Sequence, residues 1–381
     1  MKILITTDMY SPAINGVVTS VLNLQRELLR EGHQVMILTL SGTCKTYQED
    51  NIIYIGSVKM DVIYPTVRVR LLFPDRWMKK LLDWKPDVVH SQCEFNTFGL
   101  AKRISKKLDI PLIHTYHTIY EDYTHYFSPG KKLGRKVARM FTRQVCQKAD
   151  HIIAPTEKTA ELLRQYQINT DITVVPSGLV MDKFSQSRKW NSSVSQLVLI
   201  YVGRLAKEKN LDEIIQYLES WKGGRITFII VGDGPYCNVL KEEAKLLPEA
   251  VTVHFVGMAS SNDVPYWYAL GDLFVSASQS ETQGLTYIEA AAAGLPLLCR
   301  EDECLRSVIH QGVNGWRYLD KDDFLSKLEI FLEADPTQRS QMGISSRRIA
   351  GQFDICLTVP QIVAVYKTAI LRRKAKAGVA W

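Results

Sequence analysis

The chain alternates short apolar strands with helical stretches, and it does so twice. Six β-branched runs bounded by turn residues, "KILITT", "QVMILTL", "DVVH", "PLIHTYH", "HIIAP" and "TVV", occupy the first half, and "LVLIYVG", "ITFIIVG", "VTVHFVG" and "LFVSAS" follow in the second. Runs this continuously apolar are buried on both faces, the pattern of parallel sheets covered by helices. Helical spacing fills the intervals, as in Val18, Val21, Leu22, Leu28 and Leu29 within residues 18–30. The alternation breaks at "MDKFSQSRKWNSSVSQ", residues 181–196, a polar stretch with the Ser and Asn clusters of a linker. With 381 residues the chain also exceeds the ~250–300 at which single cores stop growing. An α/β chain of two Rossmann-like domains is predicted, 1–180 and 197–355, joined by the linker 181–196. Residues 356–381 are read as a C-terminal helix and tail, the helix spanning Leu357 to Ala375.

Bulk properties narrow the chemistry. The opening "MKILITTD" turns polar too soon for a signal h-region. No unbroken apolar run nears the ~18 residues of a membrane span, so a cytoplasmic chain is expected. The seven cysteines (Cys44, Cys93, Cys146, Cys237, Cys299, Cys304, Cys356) are scattered and never in CxxC spacing, which reads as thiols rather than a disulfide framework or zinc site. The net charge of +7 is uneven: residues 1–190 carry 27 basic against 18 acidic side chains, the remainder 20 against 22. Residues 101–150 alone hold 11 basic and 4 acidic, a local patch that points to an anionic partner.

Ligands of doubly wound sheets sit at the carboxyl ends of the strands, so those loops are where chemistry is sought. The first, "TDMYSPAINGVVTSV", runs from strand to helix through Gly16, where a backbone can approach a ligand and a helix N-terminus offers N–H groups to an anion. A plain strand-to-helix turn accounts for it equally well. In the second domain "LVLIYVGRLAKEKNLDEII" sets Gly203 and Arg204 directly after a strand and Lys209 five residues on. An Arg fork and a Lys point charge there suit a diphosphate, against the alternative of a surface ion pair. "VGDGP" and "VGM", the latter with Gly257 and Met258, are further glycine turns after buried strands.

In "SQSETQGLTYIEAAAAGLP" Glu281 and Glu289 stand eight apart around Gly284 and Leu285. Glu281 falls in the exit loop of a buried strand and Glu289 about one turn into the next helix. Carboxylates there accept hydrogen bonds from sugar or ribose hydroxyls. A capping box at Ser280 or Thr282 explains one acid, not both.

Taken together, Glu281 and Glu289 with Gly284 between, "GRL…EK" with Arg204 and Lys209, and "NGVV" around Gly16 resemble retaining glycosyltransferase family 4, of GT-B fold, over essentially the whole chain. "NGVVTSVLNL", "HTIYEDYTHYF" and "SETQGLTYIEA" are similar to the bacterial 1,2-diacylglycerol 3-alpha-glucosyltransferases and related glycolipid synthases, while "HSQCEF" departs from their more usual His-Thr-x-Thr-Glu-Phe. The resemblance implies two domains facing across a cleft, with the C-terminal helix returning to the first. It implies that Gly16 faces the donor phosphates and that Arg204 and Lys209 neutralise the leaving diphosphate. Glu281 and the Gly284 backbone would hold the donor sugar, Glu289 the ribose, and His117 would line the sugar pocket; Gly203, Gly257, Met258 and Leu285 complete the donor set. His117, Arg204, Lys209 and Glu281 are the expected catalytic group, the donor a UDP-sugar, the product a hexose, expected to be glucose, on a lipid such as diacylglycerol, with configuration retained.

A metal is not expected. His114, His117, Glu121, Asp122 and His125 lack the His-x3-His face of a zincin, and Asp320-Lys321-Asp322 reads as a solvated helix start. Tyr120 and Tyr123 are expected at the acceptor. Two basic, apolar-laced stretches are expected on an anionic membrane at the inner face of the cell: Arg68, Arg70 and Trp77 in the first, Lys132, Lys136, Arg139 and Arg143 in the second, the latter beside a stripe of Leu133, Val137, Met140 and Phe141. Alternatives are a sugar-nucleotide transferase with a soluble acceptor, or a glycolipid transferase adding galactose or a second sugar. A nucleic-acid binder is disfavoured because no recognisable module accompanies the charge, and a dehydrogenase because neither first strand is followed by GxGxxG.

Overall fold

A computed structural model describes residues 1–60, 68–122, 130–185 and 196–378. The chain divides into unit 1, Met1–Gly178 with Ile355–Trp381, and unit 2, Leu179–Asp354. Of the polar stretch 181–196, residues 186–195 lie outside the described residues, and Met181–Phe184 form a 3-10 turn whose Phe184 is buried in the core of unit 2.

In unit 1 the order is β1 (Lys2–Thr6), α1 (Gly16–Arg30), β2 (Gln34–Leu40), β3 (Tyr47–Glu49), β4 (Ile52–Ile55), β5 (Ser57–Lys59), β6 (Arg68–Arg70), α2 (Asp75–Trp84), β7 (Val88–Ser91), α3 (Asn96–Leu108), β8 (Leu112–Thr115), α4 (Lys131–Cys146), β9 (His151–Ala154), α5 (Glu157–Gln165) and β10 (Ile172–Val174). Unit 2 continues with β11 (Gln196–Val202), α6 (Leu211–Leu218), β12 (Arg225–Val231), α7 (Cys237–Glu243), β13 (Val251–Gly257), α8 (Val264–Leu270), β14 (Leu273–Ser276), α9 (Leu285–Ala292), β15 (Leu297–Arg300), β16 (Gly315–Tyr318), α10 (Lys321–Glu333) and α11 (Pro336–Ala350), before α12 (Ile355–Gly378) closes the chain.

The sheet of unit 2 runs β13-β12-β11-β14-β15-β16 with every pair parallel. The chain therefore works outward from β11 on one side and then from β14 on the other, leaving a topological switch point between these two strands. Its central strands β11, β14 and β15 are largely apolar because both faces are covered. Along β11, Leu197, Leu199 and Tyr201 pack with α6 and α10, while Ile200 and Val202 pack with α8 and α9. Unit 1 has the order β10-β9-β8-β7-β1-β2-β4-β3, parallel except for the β3–β4 pair, with β5 and β6 as a separate hairpin. Its switch point lies between β1 and β7.

Two helices differ from expectation. In α1 the buried apolar side chains are Val18, Val21, Leu24 and Leu28, whereas Leu22 and Leu29 are 37% and 44% exposed. Leu22 and Leu29 share a stripe with each other, seven residues apart, but it is the neighbouring stripe that meets the sheet. By length and composition Ile355–Lys376 is apolar enough to cross a membrane, which the search for an unbroken apolar run did not register. Here Val359, Ile362, Val363, Val365, Tyr366 and Ala369 are buried, and the helix lies against α1 and β9 of unit 1. Its far end is fixed by Arg373, whose Nε and Nη1 lie 3.0 and 3.1 Å from Asp109 and Asp150, and by an Arg372–Asp171 pair. At its start, a Cβ on Gly178 would sit 2.2 Å from Thr358 Oγ1, so only glycine lets the departing and returning strands of chain approach this closely.

Val359 is fully buried on α12. Val359→Asp should therefore cost at least about 3 kcal/mol, read as a lower urea midpoint; an unchanged midpoint would show that the helix is not docked.

Candidate active site

At the carboxyl edge of the unit 2 sheet, three strand-end glycines are laced together. Gly203 N donates to Val231 O at 2.9 Å and Gly232 N to Gly257 O at 2.8 Å, after β11, β12 and β13 respectively. A Cβ on Gly232 would lie 1.9 Å from Gly203 O, and the residue has φ +138°, so the approach requires glycine. Leu205 N then donates to Asp233 O at 3.0 Å. These contacts fix the direction in which the loop after β11 leaves the sheet, and with it the positions of Arg204 and Lys209. Met258, one residue past this lacing, is 63% exposed.

Lys209 ends a 3-10 turn and donates from Nζ to Glu281 Oε1 at 2.6 Å. Glu281 comes from the loop after β14, so the pair spans the β11/β14 switch point. Both side chains are less than one-fifth exposed. Burial opposes the lysine's charge, but Glu281 and Tyr201 outweigh it and hold the ammonium above its usual range. Arg204 Nη2 lies 3.3 Å from Glu208 Oε1; burial lowers the guanidinium from its ordinary value, against Glu208, without discharging it. Two fixed cations and two carboxylates thus meet where strand gives way to loop.

Gly284 adopts φ +74°, ψ +68° as the N-cap of α9. A Cβ there would sit 2.4 Å from the Tyr287 ring, whose hydroxyl is held by Ser276 Oγ at 2.8 Å. The N-cap position is this glycine, which has no side chain to offer, so neither Ser280 nor Thr282 stands where a capping box requires it. The glycine turn leaves Leu285 as the first helical residue and carries the chain from Glu281 into Glu289. Among the described residues Glu289 forms no ion pair; the Tyr268 hydroxyl, on α8, donates to its Oε2 at 3.0 Å. Burial, only partly opposed by Tyr268 and Lys183, pushes this carboxyl up to about 7.

In unit 1, Asn15 caps α1, its Oδ1 accepting from Val18 N at 2.9 Å, and Gly16 is the first helical residue. Asp8, in the same loop, caps α3 by accepting from Asn96 N and Thr97 N at 2.9 and 2.8 Å. His117 follows β8, and its Nε2 lies 2.7 Å from Gln92 Oε1, in the loop after β7. Burial, then His114, outweighs Glu94 and pushes this ring down to about 4, so it is neutral. Tyr120 turns its hydroxyl inward, to Glu94 Oε2 at 2.5 Å, rather than outward toward an acceptor. Tyr123 and His125 lie outside the described residues. Glu208, Tyr268, Gln92 and Glu94 were not foreseen; the tyrosine reads as core, and a Gln after a strand carries no signature.

The basic stretches resolve differently. Arg68 is committed to the β5–β6 hairpin, its Nε at 2.6 Å from Ser57 Oγ and its Nη2 at 2.8 Å from Gly42 O. Trp77 packs against the core of unit 1, with Arg76 and Lys80 over its ring. Both are half-buried by these contacts, while Leu72, Arg76, Lys79 and Lys80 of the same stretch are exposed. Arg70 is half-buried beside them. By contrast α4 buries the small residues Gly134, Ala138 and Thr142, together with Val145 and Cys146 at its end. Leu133, Val137 and Met140 are 66%, 50% and 63% exposed, flanked by exposed Lys132, Lys136, Arg139 and Arg143. Phe141 turns back to stack on Phe95 with ring centroids 5.2 Å apart. Among the described residues no group of three or more side chains is arranged to hold a metal, and Asp320 caps α10 by accepting from Asp323 N.

Comparison with known proteins agrees with this architecture. Residues 14–183 match the family described as Glycosyltransferase Family 4, and residues 182–348 that described as Glycosyl transferases group 1. The chain is 32% identical to the alpha-monoglucosyldiacylglycerol synthase of Streptococcus pneumoniae, over 88% of this chain and 79% of that one. Its identity to the enzyme of the same name from Acholeplasma laidlawii is 33%, covering 88% and 89%. A GDP-mannose-dependent alpha-mannosyltransferase of Corynebacterium glutamicum is 28% identical over 90% and 83%. Among solved structures, a sucrose-phosphate synthase from Thermosynechococcus elongatus superposes with TM-score 0.74 at 17% identity, covering 97% and 99%. The Anabaena protein HepE, in complex with UDP and glucose, gives 0.72 at 17%, covering 97% and 100%. Both have the GT-B glycosyltransferase architecture, which this chain shares.

Glu289 carries a sign that can be checked. Its folded pKa, about 7, is raised, so the protein is favoured below the unfolded value of ~4.5 and loses stability as pH rises through 7, by roughly 1–3 kcal/mol. Glu289→Gln should remove that dependence, so the variant gains on wild type between pH 5 and pH 8 in urea unfolding. A pH-independent difference would show that Glu289 is ionised throughout.

Proposed function

The chain belongs to glycosyltransferase family 4, and we propose that it transfers a hexose, glucose first, from a UDP-sugar to a lipid acceptor such as 1,2-diacylglycerol with retention of configuration. The lipid half of this reading is carried by the outward stripe of α4, Leu133, Val137 and Met140 set among lysines and arginines. A soluble acceptor gives that surface no use. The two relatives named alpha-monoglucosyldiacylglycerol synthases support both glucose and diacylglycerol.

The chemistry follows from unit 2. Bond cleavage at the anomeric carbon leaves charge on the departing diphosphate, and Arg204 and Lys209 supply positive charge that is already in place. Glu281 holds the Lys209 ammonium at 2.6 Å and offers its remaining lone pairs to sugar hydroxyls. Glu289, with its pKa raised to about 7, is partly ionised near neutral pH and accepts a ribose hydroxyl through its carboxylate form. With side-chain cations and a helix N-terminus holding the phosphates, no metal is needed. A departing phosphate oxygen takes the acceptor proton, which requires no dedicated base. The enzyme acts as a peripheral protein on the cytoplasmic face of a membrane. The relative named for GDP-mannose favours one second reading, a mannosyl donor, and the panel below decides between them.

Arg204→Ala should lower kcat by two or more orders of magnitude with the fold intact by circular dichroism. Lys209→Ala is the companion probe, since each substitution removes a cation from beside one carboxylate, Glu208 or Glu281. Assayed by mass with UDP-glucose, UDP-galactose and GDP-mannose against diacylglycerol and glycosylated diacylglycerol, wild type should make monoglucosyldiacylglycerol, with EDTA present. Turnover only with GDP-mannose, or complete loss in EDTA restored by Mn2+, would overturn the donor assignment.

Reversal of Lys132, Lys136, Arg139 and Arg143 to Glu should abolish sedimentation with phosphatidylglycerol vesicles, and salt should weaken the parent's binding. If the parent ignores such vesicles at low salt, the membrane assignment fails and a soluble acceptor replaces it.

A further inference from the structure

A tyrosine fixed in the core of unit 2 reaches the Glu289 carboxyl. Tyr268 of α8 has no exposure, and its ring packs with Phe184 and Phe274, their centroids 6.1 Å away in each case. Its hydroxyl meets α9 twice, 3.2 Å from Thr286 O and 3.0 Å from Glu289 Oε2. Apolar packing holds the ring, so the hydroxyl is a fixed point against which the first turns of α9 are set.

A phenol has one proton for these two acceptors. Thr286 O already takes the helical bond from the amide four residues on, so the proton is better used at Glu289, where an ionised oxygen is the stronger acceptor. With Oε2 so engaged, the carboxyl cannot turn away without weakening the bonding of a hydroxyl buried in an apolar core. Its other oxygen, Oε1, accepts no hydrogen bond among the described residues, and the side chain is half-buried rather than closed off. The neighbouring charges come from several elements. Lys183, in the turn Met181–Phe184, favours the ionised carboxyl, and Tyr201 of β11 lies near Tyr268. Arg347 of α11, which packs along α9, donates to Ala293 O at 3.2 Å past the far end of the helix, and Cys299 of β15 faces Tyr287.

We propose that Tyr268 is a positioning residue that clamps one oxygen of Glu289 and leaves the other presented to a ribose hydroxyl, so that a fully buried side chain sets the preference for a ribonucleotide over a deoxyribonucleotide. This rests on the reading that Glu289 holds the ribose. The phenol and the ribose hydroxyl donate to different oxygens of one carboxylate, and each favours its ionised form, so the two bonds reinforce one another. The ribose is remote from the bond that breaks. Loss of the clamp therefore weakens ground state and transition state alike, and it is read in KM rather than in kcat.

The clamp can be tested first without ligand. Donation from Tyr268 lowers the Glu289 pKa against burial, so Tyr268→Phe should raise it by about one pH unit, equivalent to one hydrogen bond to a charged group. The stability lost as pH rises through that pKa then goes on being lost to higher pH, and in urea unfolding the deficit of Tyr268→Phe against wild type should widen from about pH 6 to pH 8. In a Glu289→Gln background the deficit should be constant, as a purely structural defect is in both. By calorimetry, wild type should bind UDP about tenfold tighter than at least one of 2′-deoxy-UDP and 3′-deoxy-UDP, the guanosine analogues taking their place if the donor panel favours GDP-mannose. Tyr268→Phe should lose most of that preference, with KM for the sugar nucleotide raised and kcat kept within about twofold. Should Tyr268→Phe not fold, Tyr268→3-fluorotyrosine, a stronger donor of nearly the same shape, should shift the pH dependence the opposite way. A deficit constant with pH, or a nucleotide preference that Tyr268→Phe keeps in full, would overturn the proposal. Equal binding of UDP and both deoxy analogues by wild type would sink the ribose reading of Glu289 and the selectivity proposed here with it, even where a pH-dependent deficit upholds the bond to Tyr268.

Discussion

The candidate site of unit 2 gathers at and just beyond strand ends, because the central strands of its sheet have no free face. β11 shows why. Its side chains alternate between two apolar layers, so a polar group along it would lose its water on whichever side it pointed. Polar function has to begin where the strand stops. Gly203 is that point, and its close approach to Gly232, where no Cβ fits, joins the β11 and β12 exit loops into one surface. A bulkier residue at Gly232 would move Arg204 and Lys209 together rather than separately. The reach of the two cations is therefore a property of backbone packing before it is one of side chains.

The cations are also held in advance of any ligand. A lysine bears about 2 kcal/mol of rotamer entropy, and one free in solvent would lose it on meeting a diphosphate. Lys209 is already fixed by Glu281, and Arg204 lies beside Glu208. The cost is that each positive charge is partly matched by a carboxylate. A nucleotide diphosphate can displace or share that matching charge, whereas a weakly charged ligand cannot. Such an arrangement discriminates by charge as well as shape, and it places the discrimination where the sugar–phosphate bond would break.

How far the sequence reached depended on whether a feature was local. Strand-end glycines, the Glu281–Glu289 spacing and the break near residue 180 are local; Gly203 and Glu281 lie in loops at strand ends, Glu289 on the helix that follows, and the break beside the boundary between the units. The phase of α1 was not recoverable, since Leu22 and Leu29 obey the helical period as well as Leu24 and Leu28 do, and only the sheet decides between the stripes. Arg68 and Trp77 were read for charge and aromaticity, but their partners, the Gly42 and Ser57 carbonyls and the core under α2, come from elsewhere in the chain. Tyr268 carries no motif, and Glu208 stands in "GRL…EK" without a role read for it. Their importance comes from the carboxylate and guanidinium that the fold sets against them.

α4 is the converse case, in which the pattern could be read from sequence but its orientation could not. A helix with one apolar and one basic stripe ordinarily turns the apolar stripe inward. Here the inward face is Gly134, Ala138, Thr142 and Val145, small enough for the helix to lie close to the unit, and Leu133, Val137 and Met140 are turned out. Exposing them is a standing cost in water, of about 25 cal/mol for each Å² left uncovered. A single exposed leucine needs no explanation, but three in register along one helix, bordered by four cations, are a surface whose cost is recovered only against something both apolar and anionic. Free nucleotide offers charge without oil, and a protein core offers oil without charge. The direction in which this helix faces, rather than the total charge of the chain, is therefore the observation on which the proposed membrane docking rests.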